Sequence, residues 1–406
     1  MKKYCLIGKS LPHTMSPQIH NEFGLDYSVV ELQDEKALRT FVLSKEYDGF
    51  NVTIPFKQTI MKYLDEIDKT ALKIGAVNTV VKSSGKYIGF NTDIGGMDFA
   101  MSLAHIKLNQ KSVMILGSGG SSKTAQYLAK REGAKEIIVV SRSGEVNYEN
   151  CYNFQDTEII INATPVGMMP HAEEMPIDVL CFQNLEAVFD SIYNPLCTRL
   201  IFEAKERNII SSNGLNMLVE QARLAHDIFT GDKTNQIRTV EIANKLQKQK
   251  QNIILIGMAG AGKSVIGRQL AQNTGREFFD TDTLIEQREG VKVNQIFNKF
   301  SEKYFRDLES DVIVEVSKKQ HTVIATGGGG IMKEQNRRAL NANGKIVLII
   351  RDLELLEFRD RPLYKDFARV QQMWEERKNV YFSIADIVVE NNKSLSEVVA
   401  EIMEKL

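Results

Sequence analysis

The sequence predicts an α/β protein of more than one domain, and three observations carry that reading. Short apolar runs alternate with polar, helix-like segments along the chain, the rhythm of strands covered by helices. Twice an apolar run leads into a glycine turn and then a helix pattern: SVMIL into GSGGSS from Gly117, and IILI into GMAGAGKS from Gly257. The length, 406 residues, exceeds the roughly 250 to 300 that one hydrophobic core organises.

Composition narrows the class. Hydrophobic residues at 43% and charged residues at 25% supply ordinary globular cores and leave no sign of extensive disorder. Lys plus Arg total 51 against 52 for Asp plus Glu, so no global field favours nucleic acid or an anionic membrane, and any anion site must be local. Cys5, Cys151, Cys181 and Cys197 lie far apart with no C-x-x-C, which argues against a zinc site or a disulfide scaffold and for reduced thiols. No stretch approaches the roughly 20 apolar residues of a membrane span, and the apolar run before Gly8 is too short for a signal-peptide core. The expected setting is cytoplasmic, with no nucleic-acid or membrane partner; nothing in the sequence sets the oligomeric state.

Taken in order, strands YCLIG, YSVVEL, GFNVTI and NTVV alternate with segments such as KALRTFVLSKEY over residues 1–100, predicting a first lobe. Over 101–245, strand SVMIL, the glycine turn, helix TAQYLAKREG and strands EIIVVS and EIIINAT predict a second lobe with a parallel βαβ sheet. LNMLVEQARLAHDIFTG reads as a helix near 215–230, apolar near i, i+3 and i+4, that ends at Gly231 and packs back to complete a lobe. Asn244 to Gln251, NKLQKQKQ, read alone, has no apolar stripe and predicts a frayed helix end or a short tether at a domain boundary. Over 251–406, strands IILIG, TVIATG and KIVLII with helix SVIGRQLAQNTG predict a further parallel sheet.

The first glycine turn offers Gly117, Gly119, Gly120 and Ser121, with Ser122 at the third small position. Between a strand and a helix such a turn brings backbone N–H groups to a pyrophosphate at the helix N-terminus. The next strand ends in VVSRS, placing Arg142 where an NAD site carries an acidic residue for the ribose. An arginine there suits a 2′-phosphate, hence NADP.

NVTIPFK at Asn51, GAVNT at Gly75 and NTD at Asn91 each close or follow a strand. With HTMSP at His13, NATPVGM at Asn162 and GLNMLVEQA at Gly214 they resemble shikimate dehydrogenase from Met1 to roughly Lys245. The resemblance implies reversible reduction of 3-dehydroshikimate to shikimate by NADPH, with Lys57 and Asp93 as the catalytic pair. It assigns Thr14, Ser16, Thr53, Asn78, Tyr193 and Gln221 to the substrate's hydroxyls and carboxylate. The chemistry needs such a pair: hydride arriving at a ketone carbon leaves an alkoxide that must be protonated. Family members often have serine at Thr14, so a methyl is added beside the substrate, and an enzyme that handles quinate stays an alternative. Ser141 and Ser143 flank Arg142 where the family has asparagine and threonine, which loosens the expected preference for NADP. No chemistry is assigned to His13 or His20.

The second turn matches G-x-x-x-x-G-K-[ST], in which backbone N–H groups wrap nucleotide phosphates. Gly257, Gly260, Ala261 and Gly262 form the loop, Lys263 reaches the β- and γ-phosphates of ATP, and Ser264 ligates Mg²⁺. With FFDTD at Phe278, FRDLE at Phe305, TGGGG at Thr326, RPLY at Arg361 and ERKNVY at Glu376, this part resembles shikimate kinase over about Asn252 to Leu406. That implies a P-loop fold like the nucleoside monophosphate kinases. Asp280 supports Mg²⁺ and Asp282 contacts the ring hydroxyls as base. Arg306 and Arg377 clamp the carboxylate, Gly327, Gly328 and Gly329 approach the same ligand, and Arg361 closes from a lid, with Arg359 beside the adenine. The expected whole is a two-lobed dehydrogenase with a Rossmann-like NADP domain, followed by a P-loop kinase that phosphorylates the shikimate made by the first. The rival from another class is a regulator that binds NADP and ATP without turnover.

Overall fold

A computed structural model describes residues 2–11, 14–356 and 366–406. The chain divides into two compact units, Met1–Leu246 and Gln247–Leu406. The division falls inside the segment Asn244 to Gln251.

The first unit holds two sheets. One is six-stranded, in the order Tyr27–Glu31, Tyr4–Gly8, Gly49–Val52, Thr79–Ser83, Lys86–Phe90, Glu66–Ile67. Its first three strands run parallel, while Thr79–Ser83 is antiparallel to both of its neighbours. The hairpin reverses at Ser84 and Gly85, both with positive φ (48° and 78°); KYIGF, too short and glycine-broken to stand out as a strand, is legible only beside its partner. The other sheet is five-stranded and parallel, in the order Ile210–Ser212, Ala187–Asp190, Ile159–Asn162, Ser112–Leu116, Glu136–Val140. SVMIL is buried at all five positions, as a strand covered by helices on both faces must be. The helices Asp93–Leu103 and Leu215–Thr230 pack on each other. The second of them ends at Gly231 in the left-handed region, φ 83°, as a glycine C-cap should.

The second unit is one five-stranded parallel sheet, in the order Glu277–Asp280, Thr322–Ala325, Asn252–Ile256, Gly344–Ile350, Ile387–Glu390. NIILI is fully buried at its centre and leads into the helix Lys263–Thr274. This order puts the P-loop at the C-terminal end of the middle strand, where parallel α/β sheets bind ligands.

Of the two readings of Asn244 to Gln251, the helix end is what the structure shows and the short tether is not. A helix runs from Ile237 to Lys250 and leaves only Gln251 before the next strand. Its apolar stripe, Ile242, Ala243 and Leu246, is buried. Most of that stripe lies upstream of NKLQKQKQ, so the eight-residue window shows only Leu246 among charged neighbours. Among the described residues, no helix is long and apolar enough to cross a membrane.

Candidate active sites

In the first unit, Lys57 follows the strand Gly49–Val52 through the turn TIPF, and Asp93 is the first residue of the helix Asp93–Leu103. The ammonium of Lys57 donates to Oδ2 of Asp93 at 2.6 Å. Side-chain exposures of 14% and 7% make this a mostly desolvated pair, so the attraction is stronger than at a surface. Its geometry is set from behind. The Asn78 amide donates to Oδ1 of Asp93 and to Oγ1 of Thr92, both at 2.9 Å, and its own oxygen accepts the Thr92 N–H at 2.7 Å. Gln221, from the helix Leu215–Thr230, accepts from the same amide at 3.4 Å.

A layer further back, Asn51 donates to Oγ1 of Thr79 at 2.9 Å and to the Asn78 carbonyl at 3.2 Å, while its oxygen accepts from the Tyr27 hydroxyl at 2.7 Å. His20 stacks on Tyr27 with ring centroids 4.0 Å apart. Burial pushes its imidazole down to about 3, so it packs as a neutral ring, in keeping with its having no assigned chemistry.

Of the other expected substrate contacts, Thr14 donates to Oγ of Ser16 at 3.2 Å at the start of the helix Ser16–Glu22. Thr53 is half-buried and bonds through its N–H to the Ile7 carbonyl at 2.9 Å. Tyr193 packs with Met15, Ile19 and Leu215, and burial raises its phenol. The structure thus joins Lys57, Asp93, Asn78 and Gln221 in one bonded set.

The glycine turn bends at Gly117, φ 107°, and Gly119 precedes the helix Gly120–Arg131 with no side-chain cap. First-turn N–H groups without a cap suit a phosphate. Ser121 is half-buried, whereas Ser122 is fully buried and its hydroxyl donates to the Gly117 carbonyl at 2.7 Å. Ser122 therefore locks the turn rather than presenting its hydroxyl. Arg142 is exposed just past the strand Glu136–Val140. At the neighbouring strand ends, Asp190 accepts from Asn162 and the Ile192 N–H at 3.0 Å and from Thr198 at 2.7 Å. Burial outweighs those three donors and pushes its carboxyl up to about 7.

In the second unit, Gly257, Gly260 and Gly262 have φ of 135°, 84° and 94°, and Ala261 is buried among them. Lys263 opens the helix Lys263–Thr274 and donates to the Gly257 and Met258 carbonyls at 2.9 and 2.8 Å. Asn391 donates to the Ala261 carbonyl at 2.8 Å and Arg351 to that of Gly260 at 3.5 Å, so residues far along the chain brace the loop. The Ser264 hydroxyl donates to Oδ2 of Asp280 at 2.5 Å, pairing hard oxygen donors of the kind Mg²⁺ prefers. Asp280 also caps the helix Thr281–Glu289, which carries Asp282 in its first turn.

Asp282 faces the glycine run. A β-carbon on Gly327 would lie 2.8 Å from Oδ1 of Asp282 and 2.6 Å from Oε1 of Glu309, and one on Gly328 would lie 2.9 Å from the Ala259 nitrogen in the P-loop. At Gly329 it would fall on the guanidinium of Arg306, so no larger residue fits there without moving that side chain. Arg306 donates to Glu309 at 2.7 Å and to Glu302 at 3.3 Å. Glu309 is buried; desolvation raises its carboxyl against the pull of Arg306 and, more weakly, of Arg377. Arg377, buried on the helix Phe367–Ile384, belongs to this cluster, and the Tyr381 hydroxyl one turn on donates to the Gly328 carbonyl. Arg359 and Arg361 lie outside the described residues. The sequence reading missed Glu309, although FRDLE places it three residues after Arg306, one helical turn away.

Family models agree with this division. One for the shikimate dehydrogenase substrate binding domain matches residues 6–80, and one for shikimate kinase matches residues 259–406. The shikimate dehydrogenase (NADP(+)) of Caldicellulosiruptor bescii is 41% identical over 260 residues, which is 56% of this chain and 89% of that protein. The crystal structure of a chorismate mutase/shikimate 5-dehydrogenase fusion protein from Clostridium acetobutylicum superposes with a TM-score of 0.57 at 34% identity, covering 61% of this chain and 98% of that one. Shikimate 5-dehydrogenase from Thermus thermophilus, in complex with NADP(H) and shikimate, gives 0.54 at 27% identity, over 60% of this chain and 99% of that one.

Fold and sites together define a two-lobed dehydrogenase of the Rossmann type followed by a P-loop phosphotransferase. The chain belongs to the shikimate dehydrogenase family and carries a shikimate kinase domain after it. It is a bifunctional enzyme of the shikimate pathway.

Proposed function

We propose that the first unit reduces 3-dehydroshikimate to shikimate with NADPH, and that the second transfers the γ-phosphoryl group of ATP to the shikimate so made. The observation that carries the first step is the desolvated Lys57–Asp93 pair, 2.6 Å apart and held through Asn78. NADPH, when bound, supplies the hydride. Lys57 then donates a proton to the oxygen that becomes negative as the ketone carbon is reduced, and Asp93 keeps the ammonium aimed. Thr14, Ser16, Thr53, Tyr193 and Gln221 orient the substrate's hydroxyls and carboxylate. The uncapped N–H groups from Gly119 to Ser121 hold the pyrophosphate, and Arg142 reads the 2′-phosphate.

In the second unit Asp282 takes the proton from the attacking hydroxyl, Arg306 and Arg377 hold the carboxylate, and Gly327 to Gly329 admit the ring closely. Arg306 is kept in place by Glu309. Lys263 and Arg361 offset charge at the γ-phosphate, and Ser264 with Asp280 would hold Mg²⁺, which neutralises phosphate charge when bound.

The test is one reaction containing the full chain, 3-dehydroshikimate, NADPH and ATP, analysed for shikimate 3-phosphate. Lys57→Ala should abolish only NADPH oxidation, and Lys263→Ala only phosphorylation of added shikimate. No product from the folded wild-type chain would favour the regulator instead.

A further inference from the structure

We propose that a cationic cleft along the helix Gly120–Arg131, running away from the dinucleotide turn, binds a phosphorylated carboxylate, the chemistry of shikimate 3-phosphate. The cavity measures about 720 Å³, within the roughly 300 to 1,000 Å³ of small-molecule pockets. One wall is a single face of that helix, Lys123, Gln126, Tyr127, Lys130 and Arg131, at the spacing that aligns side chains along one side. The other wall is the end of the helix Lys69–Ile74, with Lys73. The ammonium of Lys123 reaches across to it: the nitrogen lies 3.5 Å from where a β-carbon on Gly75 would stand.

Arg131 is already engaged, by Asp98 at 2.6 Å and Glu132 at 2.8 Å. Among the described residues, Lys73, Lys123 and Lys130 have no carboxylate or other acceptor paired with their ammonium groups. Three like charges around one cleft repel each other unless an anion joins them, and Lys123 and Lys130, seven residues or about 10 Å apart along the helix, suit a ligand with two separate anionic ends. A phosphate at one end and a carboxylate at the other meet that requirement; the half-buried Tyr127 also lines the cleft. The cleft begins beside the dinucleotide turn, with Lys123 in the first turn of the same helix, and runs away from it: Lys130 and Arg131 lie about 15 Å along the helix from the glycine turn at 1.5 Å per residue.

The test is lysine acylation of the full chain, read residue by residue by mass spectrometry, with shikimate 3-phosphate, shikimate, ATP or inorganic phosphate present. With shikimate 3-phosphate at about ten times its Kd, roughly nine-tenths of the sites fill, and acylation of Lys73, Lys123 and Lys130 should fall about tenfold. Exposed Lys36 should be unaffected. In Lys73→Ala/Lys130→Ala the protection of Lys123 should disappear while both activities stay at the wild-type level. Absence of protection, equal protection by inorganic phosphate or ATP, or protection that survives in the double variant would overturn the proposal.

Discussion

A β-carbon placed on Gly120 would lie 3.1 Å from Cδ and 3.2 Å from Cβ of Lys57. The first residue of the helix after the glycine turn and the lysine paired with Asp93 are therefore in contact, and that turn also forms one wall around Lys57. Gly120→Ala should shift the Lys57 side chain by a few tenths of an ångström against Asp93. Misplacing a reacting group by about 1 Å costs up to 10²-fold, so a shift of this size should lower the reductase kcat by about threefold. Shikimate phosphorylation by the same sample serves as the internal control. A variant with unchanged reductase kcat would show that the turn yields and the lysine does not.

Cofactor choice should reside at Arg142. It is exposed just past a strand end, and because a 2′-phosphate takes no part in hydride transfer, a contact to it serves ground and transition states alike. Arg142→Ala should raise KM for NADPH about tenfold, the scale of one solvent-screened charged contact, and leave kcat and the NADH reaction as they were. If the NADPH to NADH ratio does not move, another group reads the 2′-phosphate.

Asp190 should give the reductase unit an unusual dependence on pH. Its folded carboxyl, near 7, lies above the ordinary 3.8, so the folded state binds this proton more tightly than the unfolded state. The stabilisation is complete below pH 3.8 and is lost as pH rises through about 7, with a slope of at most ~1.4 kcal/mol per pH unit. His20 acts in the opposite sense, its stabilisation being lost as pH falls from 6.5 towards 3. Comparing urea midpoints of wild type and Asp190→Asn across this window separates the two: the variant should gain relative stability as pH rises. Parallel curves would remove Asp190 from the account.

Substrate capture in the kinase should be sensitive to Gly329. Because a methyl group there falls on the Arg306 guanidinium, Gly329→Ala should raise KM for shikimate by about tenfold or more, as loss of a charge-assisted contact does. KM for ATP should change little. Equal effects on both substrates would mean that the whole glycine run had shifted.

Much of both sites was legible because the chemistry is written in short motifs. A glycine turn between strand and helix, or a lysine and a carboxylate each closing a strand, is a local pattern, and Lys57, Asp93, Ser264 and Asp280 meet as their motifs imply. The bracing residues were not legible. Asn391 supports Ala261 from 130 residues away, and Asn51 reaches Thr79 across 28; an asparagine in a strand or turn looks the same whether or not it has such a partner. Ser122 illustrates a subtler loss: its place in the turn was clear, but only packing shows that its hydroxyl turns inward to Gly117. The antiparallel hairpin of the first sheet was missed for a similar reason, since KYIGF acquires its meaning from pairing with TVVKS.

The helix Ile237–Lys250 changes where one enzyme stops and the next begins. Arg276 donates to the carbonyls of Lys248, at 2.9 Å, and Gln251, satisfying acceptors that a helix end leaves open. The final turns of a helix whose earlier residues pack in the reductase therefore contribute to the kinase's own fold. A kinase gene trimmed to start at Asn252 would retain all five strands of its sheet and still strip a half-buried guanidinium of its acceptors. A protease seeking the seam would meet Lys245, Lys248 and Lys250 inside a helix rather than on an open strand. Dividing this chain is therefore a matter of redesigning a helix terminus and not of cutting a string.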